Sequence, residues 1–182
     1  MTQLYSGRGA THQPRHDGVN TEAHRGDPYR PDAKFPEPAV CPDCQASYRQ
    51  GRWTWEPAAA EATPHRCPAC ARIHDGLPAG LLSLSGAFMA SHCEEILRLV
   101  NNTEARIRSE RPLERLIAID TGGDGSGAAE GGSLTTGPLE LSFTGTHITR
   151  AIGKAIEAAY GGRLEAPFSE QGAVLRCHWE RN

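Results

Sequence analysis

Met89, Cys93, Ile96, Val100 and Ile107 recur at intervals of three, four and seven residues, which places them on one face of a helix. They predict a helix over 86–110. Glu94 with Arg98, and Glu104 with Arg108, are i, i+4 pairs in the favourable order. Ser91 and Glu94 have the spacing of a capping box, which would set the start near residue 92. Pro112 ends the helix. A second helix follows Thr144 or Thr146 as its cap, with Ile148, Ile152 and Ile156 on one face and Gly161-Gly162 as its stop. Between and after these helices the period changes to two. Leu116, Ile117 and Ile119 suggest one strand, and Leu139, Leu141 and Phe143 a second. Leu164, Ala166 and Phe168 form a third, and after a turn at 169–172 Ala173, Leu175, Cys177 and Trp179 form a fourth. The predicted order is a long helix, strand, strand, helix, strand, strand. A mostly antiparallel four-stranded sheet with one packed helix is the simplest α+β arrangement that buries these faces.

Large apolar residues are unevenly spread. Leu, Ile, Val and Phe supply 30 of 182 residues, about 16%. So low a share signals disorder only with a large net charge, and here the formal charge is −3. The deficit is local. Residues 1–38 hold three of the thirty, 73–120 hold fifteen and 139–182 hold ten. Residues 1–38 are rich in Gly, Pro, His, Arg and Asp without periodicity and read as a disordered tail with balanced charges. Residues 121–138 hold seven glycines and read as a flexible loop within an α+β domain over 81–182. No apolar run approaches the ~20 residues of a membrane span, and the first thirty residues lack the apolar core of a signal peptide. The expected location is the cytoplasm, with no membrane partner. A reducing compartment favours metal thiolates over disulfides for the six cysteines.

Residues 39–80 carry the chemistry. Cys41-Pro-Asp-Cys44 and Cys67-Pro-Ala-Cys70 are two matched C-x-x-C knuckles separated by 22 residues. Each tight turn lets two thiolates reach one metal, and two turns complete a four-sulfur tetrahedron. The segment between them, with Tyr48, Trp53 and Trp55, fits a short hairpin. The expected module is a zinc ribbon holding Zn2+ through Cys41, Cys44, Cys67 and Cys70. A protein-filled shell leaves no position for water or substrate, so the metal is structural. Iron in a rubredoxin-like electron carrier would use the same knuckles.

Zinc with four thiolates carries a formal charge of −2. Arg49, Arg52, Arg66 and Arg72 flank the knuckles and would offset it, or would meet phosphates while Trp53 or Trp55 stacks on a base. These six residues are the candidate RNA contacts, against the alternative that the tryptophans pack the ribbon core and the arginines are solvated. Cys93 and Cys177 fall on apolar faces and read as core residues. His92 and Glu95 lie one turn apart without a third ligand at suitable spacing, and His147 reads as a surface or capping residue. There is no Walker loop, dinucleotide fingerprint, G-x-S-x-G or haem motif, so an enzyme is disfavoured.

The segments Asp27-Pro28-Tyr29, 35–44, Gly51-Arg52-Trp53-Thr54-Trp55, 67–73, Leu77-Pro78-Ala79-Gly80, 92–96, Pro112-Leu113-Glu114-Arg115 and 146–160 resemble an uncharacterised family of bacterial zinc-ribbon proteins. More distantly, the knuckles followed by an α+β domain are similar to the nonsense-mediated-decay-protein-3-like adaptors of the large ribosomal subunit. Those adaptors carry more cysteine pairs, and glycine is common where Gln45 follows the first knuckle here. The positions that match are the four cysteines and 76–80. The resemblance implies docking on the ribosome or ribosomal RNA. A protein-binding adaptor that uses the ribbon without RNA is the other non-enzymatic expectation.

Overall fold

The computed structural model describes residues 27–29, 35–121, 138–166 and 174–182. The glycine-rich stretch, the turn at 169–172, Phe168 and nearly all of the N-terminal tail lie outside the described residues.

The first module is a small sheet. β1 (Ala39–Val40), β2 (Ser47–Arg49), β3 (Arg52–Thr54) and β4 (Thr63–Pro64) take the order β3-β2-β1-β4. Gln50 and Gly51 both have positive φ, 51° and 76°, the pattern of a two-residue type I′ turn whose twist matches the flanking strands. The turn fixes the register, pairing Tyr48 with Trp53 and Arg49 with Arg52. Side chains alternate across a strand, so Tyr48 and Trp53 point into a core with Ala39, Cys41, Ala46, Cys67, Ala69 and Cys70, while Arg49 and Arg52 point out. Phe35 meets Tyr48 and Trp53 edge-on at ring distances of 5.3 and 5.9 Å. Residues placed in the tail by sequence thus cover this core. A short helix not expected from the sequence, α1 (Pro68–Asp75), follows the second knuckle. It ends at Gly76, whose φ of 64° and N–H bond to the Arg72 carbonyl form a left-handed cap.

The second module corrects the predicted sheet. It has five strands in the order β6-β7-β5-β9-β8, from β5 (Gly80–Ser85), β6 (Leu116–Asp120), β7 (Leu139–Phe143), β8 (Arg163–Glu165) and β9 (Leu175–Glu180). The central strand β5 falls at the junction between predicted ribbon and predicted helix. It pairs antiparallel with β7 and parallel with β9, so the sheet is mixed. Leu82 and Leu84 from β5, Leu139, Leu141 and Phe143 from β7, and Leu175, Cys177 and Trp179 from β9 form one buried face. Two helices cover it rather than one. α2 (Ala87–Glu110) contributes Met89, Cys93, Ile96, Val100 and Ile107, and α3 (Thr146–Tyr160) contributes Ile148, Ile152 and Ile156.

The long helix matches the predicted 86–110 span, but the helix caps differ from those expected. α2 begins at Ala87, and Ser91 donates back to the Ala87 carbonyl (3.1 Å) instead of capping. His92 leaves helical geometry at φ −124° and ψ 21° and stacks on Phe88 at 3.9 Å. Neither Thr144 nor Thr146 caps α3. The Glu114 carboxylate, 34 residues away, accepts the Ile148 N–H at 3.0 Å. Thr144 Oγ1 instead donates to the Leu113 carbonyl (2.6 Å) and accepts the Arg115 N–H (2.8 Å). The α2–β6 corner and the start of α3 are thereby tied together beside the first module.

Candidate metal centre

The first knuckle forms where β1 ends. Cys41 N–H donates to the Ala46 carbonyl (2.8 Å) and Gln45 N–H to the Cys41 carbonyl (2.9 Å), closing a tight loop around Cys44. Gln45 adopts φ 64° to make this turn, the region glycine enters most easily. The second knuckle is the start of α1. Cys67 is the N-cap, Pro68 supplies a fixed first φ, and the Cys67 sulfur accepts the Cys70 N–H at 3.4 Å. Across the knuckles, Cys67 N–H donates to the Cys41 sulfur at 3.3 Å.

The four sulfurs lie within 4.8 Å of one another, and those of Cys44 and Cys67 are 3.8 Å apart. A tetrahedron with metal–sulfur bonds of about 2.3 Å has edges of about 3.8 Å, so the site fits one tetrahedral ion. Cys41, Cys67 and Cys70 are buried, Cys44 is half-buried, and all four are free thiols. With four sulfurs as ligands, no coordination position stays open for substrate.

The residue that sequence reasoning missed is Arg115. It lies between α2 and β6, is 5% exposed, and its Nη1 donates to the Cys70 sulfur at 3.3 Å. Its Nε donates to the Pro112 carbonyl at 2.7 Å. The charge couples to the thiols. At Cys44, burial raises the pKa, but hydrogen bonds from Arg115 and the Ala46 backbone outweigh it and hold it down at about 7. Burial pushes Cys70 up to about 11 and Cys67 well above its ordinary range. Burial opposes the charge on Arg115 in turn, yet its bond to Cys44 and the nearby thiolates raise its pKa overall.

The arginines expected to offset the cluster go elsewhere. Arg72 is buried, not exposed. Its guanidinium pairs with Asp27 at 2.5 Å, donates to the Leu77 carbonyl at 3.1 Å and lies 4.5 Å over the Tyr29 ring. Arg66 pairs with Asp43 at 2.7 Å on the surface. Trp53 is buried in the aromatic core, so no face is free to stack on a base. Trp55 is exposed, but its Nε1 donates to the Arg108 carbonyl at 2.6 Å and Arg115 lies 5.6 Å over its ring. Of the six candidate RNA contacts, only Arg49 and Arg52 are exposed without a polar partner among the described residues. Arg52 also borders a cleft of about 460 Å³ with Phe35, Trp53, Arg111 and Leu113. Cys93 and Cys177 are buried in the second core, where burial raises both thiols. His92 Nδ1 faces the Phe88 carbonyl at 3.1 Å. Among the described residues the four-cysteine cluster is the one grouping of three or more side chains placed to hold a metal. The chain matches no protein-family model, no curated protein and no solved structure.

Proposed function

We propose that Cys41, Cys44, Cys67 and Cys70 hold one Zn2+ as a closed structural centre, and that the chain is a non-enzymatic binding protein shaped by it. The carrying observation is the cluster of four cysteine sulfurs, all within 4.8 Å of one another and backed by a buried arginine. Zinc needs no redox partner in such a shell and keeps tetrahedral geometry without a d-electron preference. Metal analysis of purified protein tests this. One zinc per chain and no visible absorbance is expected; stoichiometric iron with a colour that bleaches on reduction would make it an electron carrier instead.

The partner we propose is structured RNA, with the ribosome as the first candidate. Two features support it: the likeness of the knuckles to ribosomal adaptors, and the outward pair Arg49 and Arg52. These arginines sit directly opposite each other on the hairpin, where like charges repel, and a phosphate between them would relieve that cost. Sucrose-gradient sedimentation of tagged protein at low salt, with and without ribonuclease, is the test. Ribonuclease-sensitive co-sedimentation that R49E/R52E abolishes is expected. Absence from every ribosomal fraction would refute the partner, and ribonuclease-resistant capture would point to a protein.

A further inference from the structure

Arg115 belongs to the second module and ends in the first. Its backbone N–H is bound by Thr144 Oγ1, its carbonyl accepts the Thr144 N–H at 2.9 Å, and its Nε is bound to the Pro112 carbonyl. These bonds fix the stem within the α2–β6 corner. Nη1 then reaches the Cys70 sulfur, while Nη2 is buried with no hydrogen-bond partner. Beside it, the Trp55 indole bridges from the ribbon to the last turn of α2 through the Arg108 carbonyl, and Leu113 packs against the ribbon core.

A buried guanidinium is unfavourable without an anion beside it. Four sulfurs within 4.8 Å of one another cannot all hold a negative charge without a cation between them, whereas four thiolates on a divalent ion carry a net charge of −2. Metal loading therefore completes the anion that makes the position of Arg115 favourable. Arg115 in turn stabilises the thiolates that bind the metal.

We infer that Arg115 is a positioning residue of the metal centre, and that it makes metal occupancy and docking of the ribbon on the α+β module a single event. The inference rests on the four-sulfur reading but adds to it a contribution from a residue 45 positions beyond Cys70. Residues that hydrogen-bond metal ligands typically change metal affinity by about 10–100-fold when removed. Arg115→Gln keeps hydrogen-bond donors and removes the charge, Arg115→Lys restores a charge, and Arg66→Met removes a surface arginine near the same knuckles.

Zinc affinity of the full chain, measured by competition with a chromophoric chelator, should fall about 10–100-fold in R115Q, recover in R115K and stay within about twofold of the parent in R66M. Far-UV circular dichroism checks that the helices persist. With Co2+ in place of zinc, the thiolate charge-transfer band should remain four-sulfur in every variant and shift in R115Q alone. An independent readout needs no variant: the Trp55 indole N–H, bound to the Arg108 carbonyl, should exchange slowly in the zinc-loaded protein and fast after chelation. Equal affinity of R115Q and parent overturns the inference, as does R66M falling as far as R115Q or an unchanged Trp55 exchange rate. If the parent binds neither zinc nor cobalt, the four-sulfur reading fails with it; if the parent binds and R115Q binds equally, this inference alone fails.

Discussion

Stripping the metal should unfold the first module and leave the second standing. Among the described residues the ribbon core has eight buried members, of which only Tyr48 and Trp53 are large. Fully burying one such side chain is worth about 1.5–3 kcal/mol. A structural zinc contributes about 10–16 kcal/mol in small metal-folded modules near neutral pH. Metal therefore outweighs apolar burial in this module, and its loss exceeds what the aromatic pair can hold. The second module keeps sixteen buried core residues among those described, from Leu82 to Trp179, none of them a metal ligand. Tryptic cleavage after Arg72 reads the difference. In the loaded protein that side chain is buried against Asp27 and Tyr29, and the bond sits in α1, which is anchored at Cys67 and Cys70. Chelation under reducing conditions, or Cys41→Ser, should expose it to rapid cutting, while a fragment from Ile73 onward keeps its helical signal and a cooperative thermal transition. Persistent resistance at Arg72 in fully metal-free protein would refute the reasoning.

Zinc affinity should rise steeply with pH, because binding releases the ligand protons. Without metal the ribbon is unfolded, so its thiols titrate near the ordinary cysteine value of about 8.5 and all four carry their protons near neutral pH. Between about pH 6 and 7.5 most of the four protons therefore leave on zinc binding, so log K should climb by about two or more per pH unit there, and a slope near zero in a chelator titration would refute this. Ile152→Ala empties a fully buried site against the sheet and should cost about 2–5 kcal/mol in urea unfolding. Gly80→Ala would place a methyl 2.0 Å from Thr149 Oγ1, so α3 must shift off β5; a cost of about 1–3 kcal/mol is expected, and Thr149→Gly in the same chain should recover part of it. An unchanged unfolding midpoint for either single variant would contradict the packing described.

The sequence discloses what is encoded locally. Two C-x-x-C turns place their ligands within four residues of each other, and the helical stripes of α2 and α3 need only their own 3.6-residue period. β5 failed that criterion. Its run Leu81-Leu82-Ser83-Leu84 is short, and its burial comes from β7 and β9, which begin 59 and 95 residues after Gly80 at Leu139 and Leu175. The mixed RNA set could have been separated by alternation alone. The register that sends Trp53 inward sends Arg52 outward, so both could never face one ligand. Charge compensation was the least legible feature. The arginines nearest the knuckles in sequence each have a carboxylate closer to hand, Asp43 for Arg66 and Asp27 for Arg72, while the thiolates draw their cation from a corner that exists only once the two modules meet. A closed metal site with its counter-charge on another element cannot be completed by the ribbon alone, so residues 39–75 produced in isolation should bind zinc more weakly than the whole chain.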